Sequence, residues 1–140
     1  MFSTCQEVTV SKIEMASIQL DAAIAAYFDG QGVVAITLAG AAEEIFGAML
    51  RHEGIENSVK KIASLPQMLK ISADLPKRID FLNDVRNNLK HARDKREDRF
   101  VITEFDPYIM IVRALGNASL LEIADSELMS KFKKFHTPKV

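Results

Sequence analysis

Asn83-Asp84-Val85-Arg86-Asn87-Asn88-Leu89-Lys90-His91 is the stretch of this chain whose residue types and spacing suit chemistry. An arginine carries a permanent planar cation with paired donors that match two oxygens of a phosphate. A histidine, with an ordinary pKa near 6.5, takes or gives a proton around neutrality. Four residues separate Arg86 from His91, and the carboxamide of Asn87 falls one helical turn before the histidine. This set suits proton transfer at a phosphate ester. Arg86 would stabilise charge on the phosphoryl oxygens, His91 would act as base or acid, and Asn87 would orient His91 or hold substrate. The competing account is structural: Arg86 pairs with a core-edge carboxylate such as Glu43, while His91, near Asp84 and Asn87, decorates a helix surface.

Other chemistries find no footing. The chain has no Glu-x-x-His pair, no His-Glu-x-x-His and no cysteine pair, so neither a metal site nor a cofactor is expected. A phosphate-cradling Gly-x-x-x-x-Gly-Lys loop and a Gly-x-Ser-x-Gly elbow are also absent. The 140 residues, 48% of them hydrophobic, suit one domain over 1–140 with its core in about 11–135. A net charge of -1 argues against a surface coated in positive charge for gripping long nucleic acid. Contact with RNA would instead be local, through Lys90, Arg93, Lys95, Arg96 and Arg99 around and after His91. The same charges serve equally as a solvated loop. The single Cys5 cannot form an internal disulfide, which fits a reducing compartment. The first seven residues lack the features of a secretory signal, and the longest apolar run, Val33 to Ala42, is too short to cross a bilayer. The expectation is a cytoplasmic protein with no membrane partner.

Helices must position the motif. Ser11-x-x-Glu14 reads as a capping box opening a helix from about Ser11 to Phe28, which Asp29-Gly30-Gln31-Gly32 stops. A second helix, about Gly32 to His52, is apolar over most of its circumference and should be central. Its remaining face carries Gly40, Ala41, Gly47 and Ala48 with Thr37, Glu44 and Arg51, small enough for close approach of another helix within the chain or across a dimer. Glu43 borders the core and needs a hydrogen-bonding partner there. Asn57-Ser58 should cap a short helix, and Pro66 should open a second helical piece. Asp74 should cap the motif helix, Lys77 to about Asp94, with Phe81, Leu82, Val85, Leu89 and Ile79 as its buried stripe. Asp106-Pro107 marks the start of a core helix, Tyr108 to Ile123, and Ser126 to Phe135 a last one. Val8-Thr9-Val10 is either an extended lead-in or an extra helical turn.

The Arg86-Asn87-x-x-Lys90-His91 run, late in an all-helical chain and preceded by the Ala41-Ala42-Glu43-Glu44 helix, resembles the HEPN superfamily over roughly Leu20 to Leu121. The resemblance implies an all-α, up-and-down bundle of about five helices that pairs as a homodimer. It also implies metal-independent endoribonuclease activity of toxin or defence type. A single-stranded RNA would be cleaved by attack of its 2′-hydroxyl, with Arg86, Asn87 and His91 catalytic and Glu43 and Asp84 supporting. Pairing two motifs across a dimer cleft suits the geometry, because Arg86 and His91 point about 140° apart on one ideal helix. Some HEPN members toxify under control of a tyrosine two positions after the histidine; here that position is Arg93, so such control is not expected. The alternative is a non-catalytic dimer that binds RNA, a protein antitoxin or another protein partner.

Overall fold

The computed structural model describes residues 7–90, 99 and 101–136, leaving aside the side chains of Lys60, Gln67, Val85, Arg86, Asn88, Leu89, Lys90 and His136. These residues form α1 (Lys12–Phe28), α2 (Gly32–His52), α3 (Val59–Ala63), a 3-10 turn (Pro66–Lys70), α4 (Leu75–Lys90), α5 (Phe105–Leu120) and α6 (Glu127–His136). No strand occurs among the described residues, so the all-helical class holds. The described residues form six helices and a 3-10 turn, where about five helices were expected.

Local chemistry accounts for most of the boundaries. Ser11 Oγ accepts the Glu14 N–H (3.0 Å) at the start of α1, as the cap pattern requires. Gly30 takes φ 76°, in the left-handed region that favours glycine, and the Gln31 N–H returns to the Ala26 carbonyl (2.9 Å). That closure turns the chain directly into α2. The end of α5 uses the same fold of the chain with Glu122 at φ 60°, where the Ile123 N–H donates to the Ala118 carbonyl (3.0 Å). Asp106 is not the N-cap of α5. The helix starts at Phe105, and the Asp106 carboxylate reaches back to accept the Thr103 N–H (2.8 Å). Glu104 holds the cap position without a side-chain bond, and the Asp106 N–H donates to the Thr103 carbonyl (3.2 Å), so the helix starts ahead of the expected Tyr108. Residues 7–10 form neither a strand nor a helical turn.

α2 is the central element. It packs against α1 on one side and α5 on the other, and Leu20, Ile24, Ile36, Phe46, Met110, Ile111, Met129 and Phe132 form the main core with them and α6. The 21-residue helix is long and apolar enough to cross a membrane by length and composition, although its apolar run was expected to be too short; half of that length is buried in this core. A smaller core, Val59, Ile62, Ala63, Met68, Leu82 and Ile109, joins α3, the 3-10 turn and α4 to α5. Arg78 fastens the same region: its Nε donates to the Ala63 carbonyl (2.6 Å) and its Nη1 to that of Ser72 (2.9 Å). The expected stripe of α4 is corrected at one position, since Leu82 is buried but Phe81 is 38% exposed. Arg78, with two carbonyls to satisfy, takes the inward position instead.

Gly116 permits a very close approach between two segments. A Cβ there would lie 2.7 Å from Ser58 Cβ and 2.9 Å from Ser58 Oγ. The bare backbone lets the segment entering α3 lie against α5.

Candidate functional site

α4 carries the motif arginine, but the expected site is only partly within the described residues. Arg86 and Lys90 hold helical backbone positions. Asp84 and Asn87 are exposed on the same helix, and Arg99 is exposed beyond it. His91, Arg93, Lys95 and Arg96 lie outside the described residues, as does the expected extension of α4 to Asp94. No group of three or more His, Cys, Asp or Glu converges to hold a metal ion among the described residues.

What fixes α4 is a buried polar network that the sequence reading did not identify. Arg113, 2% exposed in the middle of α5, donates from Nη2 to Glu43 Oε1 (2.9 Å) on α2 and to Asn83 Oδ1 (2.9 Å) on α4. Its Nη1 donates to the Leu82 carbonyl (2.8 Å) and lies 3.7 Å from Met110 Sδ. In regular helix geometry the Leu82 carbonyl is also the acceptor for the Arg86 N–H. Arg113 thus grips α4 at the turn that carries the motif arginine. Glu43, expected to border the core with a satisfied carboxylate, is 4% exposed and has Arg113 as that partner.

One turn along α5, Asn117 continues the network. Its Oδ1 accepts the Ser58 N–H (2.7 Å), and its Nδ2 donates to the Glu43 carbonyl (3.2 Å). Ser58 precedes α3 and its carbonyl accepts the Ile62 N–H (3.0 Å), while its hydroxyl, instead of capping the helix, donates to the Arg113 carbonyl (2.8 Å). Asn57 alone supplies the expected local contact, its Oδ1 accepting the Val59 N–H (3.1 Å). α2, α3, α4 and α5 are therefore tied by polar bonds at one place. The sequence offered one signal for it: Arg113 and Asn117 are polar, a helical turn apart, and sit in a helix that is otherwise apolar on most sides.

One cavity adjoins this framework, and a second lies at the turn between α1 and α2. A polar one of about 470 Å³ is lined by Glu43, Glu44, Gly47, Arg51, Asn57, Val59, Asn83 and Arg113. It opens directly over the network and reaches α4 through Asn83. The other, about 400 Å³, is lined by Tyr27, Phe28, Ile102, Glu104, Pro107 and Phe135 among others. It borders an aromatic cluster in which Tyr108 stacks on Phe132 at 5.8 Å and Tyr27 meets Phe132 edge-on at 5.7 Å. Burial raises the Tyr27 pKa above its ordinary value, with the Glu104 carboxylate adding to the shift and Tyr108 contributing.

The small-residue face of α2 is divided by the fold. Gly40 and Gly47 are buried, and a Cβ at Gly47 would stand 3.6 Å from Asn117 Nδ2. That distance is an ordinary contact, so Gly47 faces α5 within the chain without the helix needing a glycine there. Thr37, Glu44 and Arg51 are exposed, with Ala41 and Ala48 half-buried between them.

Comparison of the chain with protein-family models, with curated proteins and with solved structures gave no match.

Proposed function

We propose that this chain is a HEPN-like, metal-independent endoribonuclease that acts on single-stranded RNA as a homodimer. The observation that carries the reading is the Arg86-Asn87-x-x-Lys90 segment in the last turns of α4, followed in the sequence by His91, on a helix clamped from within by Arg113 and open to solvent at Asp84 and Asn87. In the proposed step His91 takes the proton of a ribose 2′-hydroxyl, and the 2′-oxygen bonds to the adjacent phosphorus. The bond from phosphorus to the 5′-oxygen then breaks, with a proton delivered to that leaving oxygen and a 2′,3′-cyclic phosphate left behind. Arg86 stabilises the charge that develops on the phosphoryl oxygens, where its two-pronged donor set suits the task better than a lysine would. Two copies of the motif across a dimer cleft overcome the 140° divergence of Arg86 and His91 on one straight helix. Lys90, Arg93, Lys95, Arg96 and Arg99 supply the local contact with the RNA backbone, and Glu43 supports α4 through Arg113.

A non-catalytic module is the second reading, favoured by the exposed apolar side chains Leu65, Leu69, Ile71 and Phe81 around the 3-10 turn and α4. Such exposure beside the motif helix suits capture of a protein, an antitoxin included. His91→Ala and Arg86→Lys separate the two. Under the catalytic reading both lose RNA cleavage by about a hundredfold or more while remaining folded and dimeric. If both retain every activity of the wild type while Leu69→Asp abolishes it, the binding module is correct.

A further inference from the structure

The polar cavity between α2, α3, α4 and α5 has a chemistry of its own. Its two amide side chains are oriented by partners that can only donate. Asn57 Oδ1 faces the Val59 N–H and Asn83 Oδ1 faces the Arg113 guanidinium, which fixes each oxygen and leaves each NH2 group as the free end. Neither NH2 group has a hydrogen-bond partner among the described residues, and neither does the Arg51 guanidinium. A Cβ on Gly47 would come within 3.8 Å of Arg51 Nη1, so the guanidinium lies folded back over the glycine at the cavity wall. Three uncommitted donors therefore border one space. The lining is nonetheless formally neutral, since Arg51 and Arg113 are matched by Glu43 and Glu44. A neutral lining with donors to spare suits an uncharged polar ligand rich in acceptors more than an oxyanion. At about 470 Å³ the cavity has room for a ring system rather than a single small group.

We propose that this cavity receives one unstacked nucleobase of a single-stranded RNA and prefers a keto base, uracil or guanine, over cytosine or adenine. The inference rests on the RNA reading above and adds to it a source of sequence preference. Uracil O4 and guanine O6 present acceptors where cytosine N4 and adenine N6 present donors, so donors in the cavity distinguish the two pairs. Flat guanidinium groups also stack on bases, and single-stranded RNA is commonly read by splaying a base into such a pocket. The Glu43 and Glu44 carboxylates supply acceptors for the ring N–H that uracil and guanine carry. Asn83 connects this cavity to α4, placing the recognised base beside the strand that passes the motif.

The test is titration of the isotope-labelled full chain with uridine, guanosine, cytidine and adenosine at millimolar concentration, followed by amide and side-chain shifts. The expected result is saturable perturbation of Arg51, Asn57 and Asn83 by uridine or guanosine, with affinity at least about tenfold weaker for cytidine and adenosine, the scale of one lost hydrogen bond. Arg51→Gln, an exposed position that leaves the buried network intact, should weaken binding by about tenfold. Gly47→Leu, which projects a side chain into the cavity, should abolish it, with folding checked by the dispersion of the spectrum. The inference is overturned if no nucleoside perturbs these residues, if all four bind equally and Arg51→Gln changes nothing, or if inorganic phosphate displaces them as a better ligand. Cleavage of RNA with the cavity silent overturns the base site alone. Keto-base binding without cleavage keeps the base site and removes the catalytic reading.

Discussion

Removing Arg113 should cost about as much as removing it together with the charge of its partner Glu43. Arg113→Leu deletes the donor to Glu43 Oε1, Asn83 Oδ1 and the Leu82 carbonyl at once, and leaves a carboxylate that is only 4% exposed without that cation. Breaking a buried pair from one side costs about 3–5 kcal/mol. Against a total stability of about 5–15 kcal/mol, that loss brings the fold close to its limit. Glu43→Gln keeps an oxygen in place for the guanidinium and should cost less, about 1.5–3 kcal/mol for a hydrogen bond to a charged group. The double variant Glu43→Gln, Arg113→Leu leaves neither charge of the pair behind, and its penalty should fall below the sum of the single changes by about 2 kcal/mol or more. Equilibrium urea denaturation of the four proteins measures this coupling directly. Additivity within about 0.5 kcal/mol, or a cost below about 1 kcal/mol for Arg113→Leu, would refute the claim that this ion pair holds α2, α4 and α5 together.

Three further outcomes follow from local geometry. Gly116→Ala forces a Cβ to 2.7 Å from Ser58 Cβ and should destabilise by about 1–3 kcal/mol, whereas Gly47→Ala meets only ordinary contacts and should stabilise by about 0.5–1 kcal/mol through helix propensity; thermal denaturation compares the two. Glu122→Gly relieves a left-handed residue at φ 60° and should raise stability by up to about 1 kcal/mol in the same assay. The Tyr27 phenol, its pKa raised in the folded protein by burial and then by Glu104, should ionise above its ordinary value of 10.0 in an ultraviolet titration. Because the folded state holds that proton more tightly than the unfolded one, the contribution of Tyr27 to stability is fully present below about pH 10 and lost as pH rises through the folded pKa. A Tyr27 titration at or below the ordinary value would contradict the cause assigned to the shift.

What could be read from the sequence was what depends on neighbours along the chain. The cap at Ser11 needs only residues 11–14, the closure at Gly30 needs one residue free of a Cβ, and the central place of α2 follows from apolar residues around most of its circumference. The buried network escaped because its members are far apart: Arg113 meets Glu43 across 70 positions, and Asn117 meets Ser58 across 59. A polar residue in an apolar helix tells that a partner must exist without telling which one. Glu43 was legible as a carboxylate in need of a partner for this reason, and Arg113 as that partner was not. Phe81 and Arg78 show the converse limit. Hydrophobicity places the phenylalanine inside, but two carbonyls, of Ala63 and Ser72, draw the arginine inward instead. For the motif itself, spacing conveyed residue types suited to phosphate chemistry, and under the proposed reading the mutual aim of Arg86 and His91 would depend on the helix end and on a second copy of the chain.

The most direct test of the proposed activity is incubation of the purified protein with end-labelled single-stranded RNA in excess chelator, with product ends resolved by mass. The expected result is cleavage that persists under chelation and leaves a 2′,3′-cyclic phosphate, reduced about a hundredfold or more in a folded, dimeric His91→Ala protein. Undiminished cleavage by that variant, or no cleavage of varied RNAs by the wild type, would contradict it.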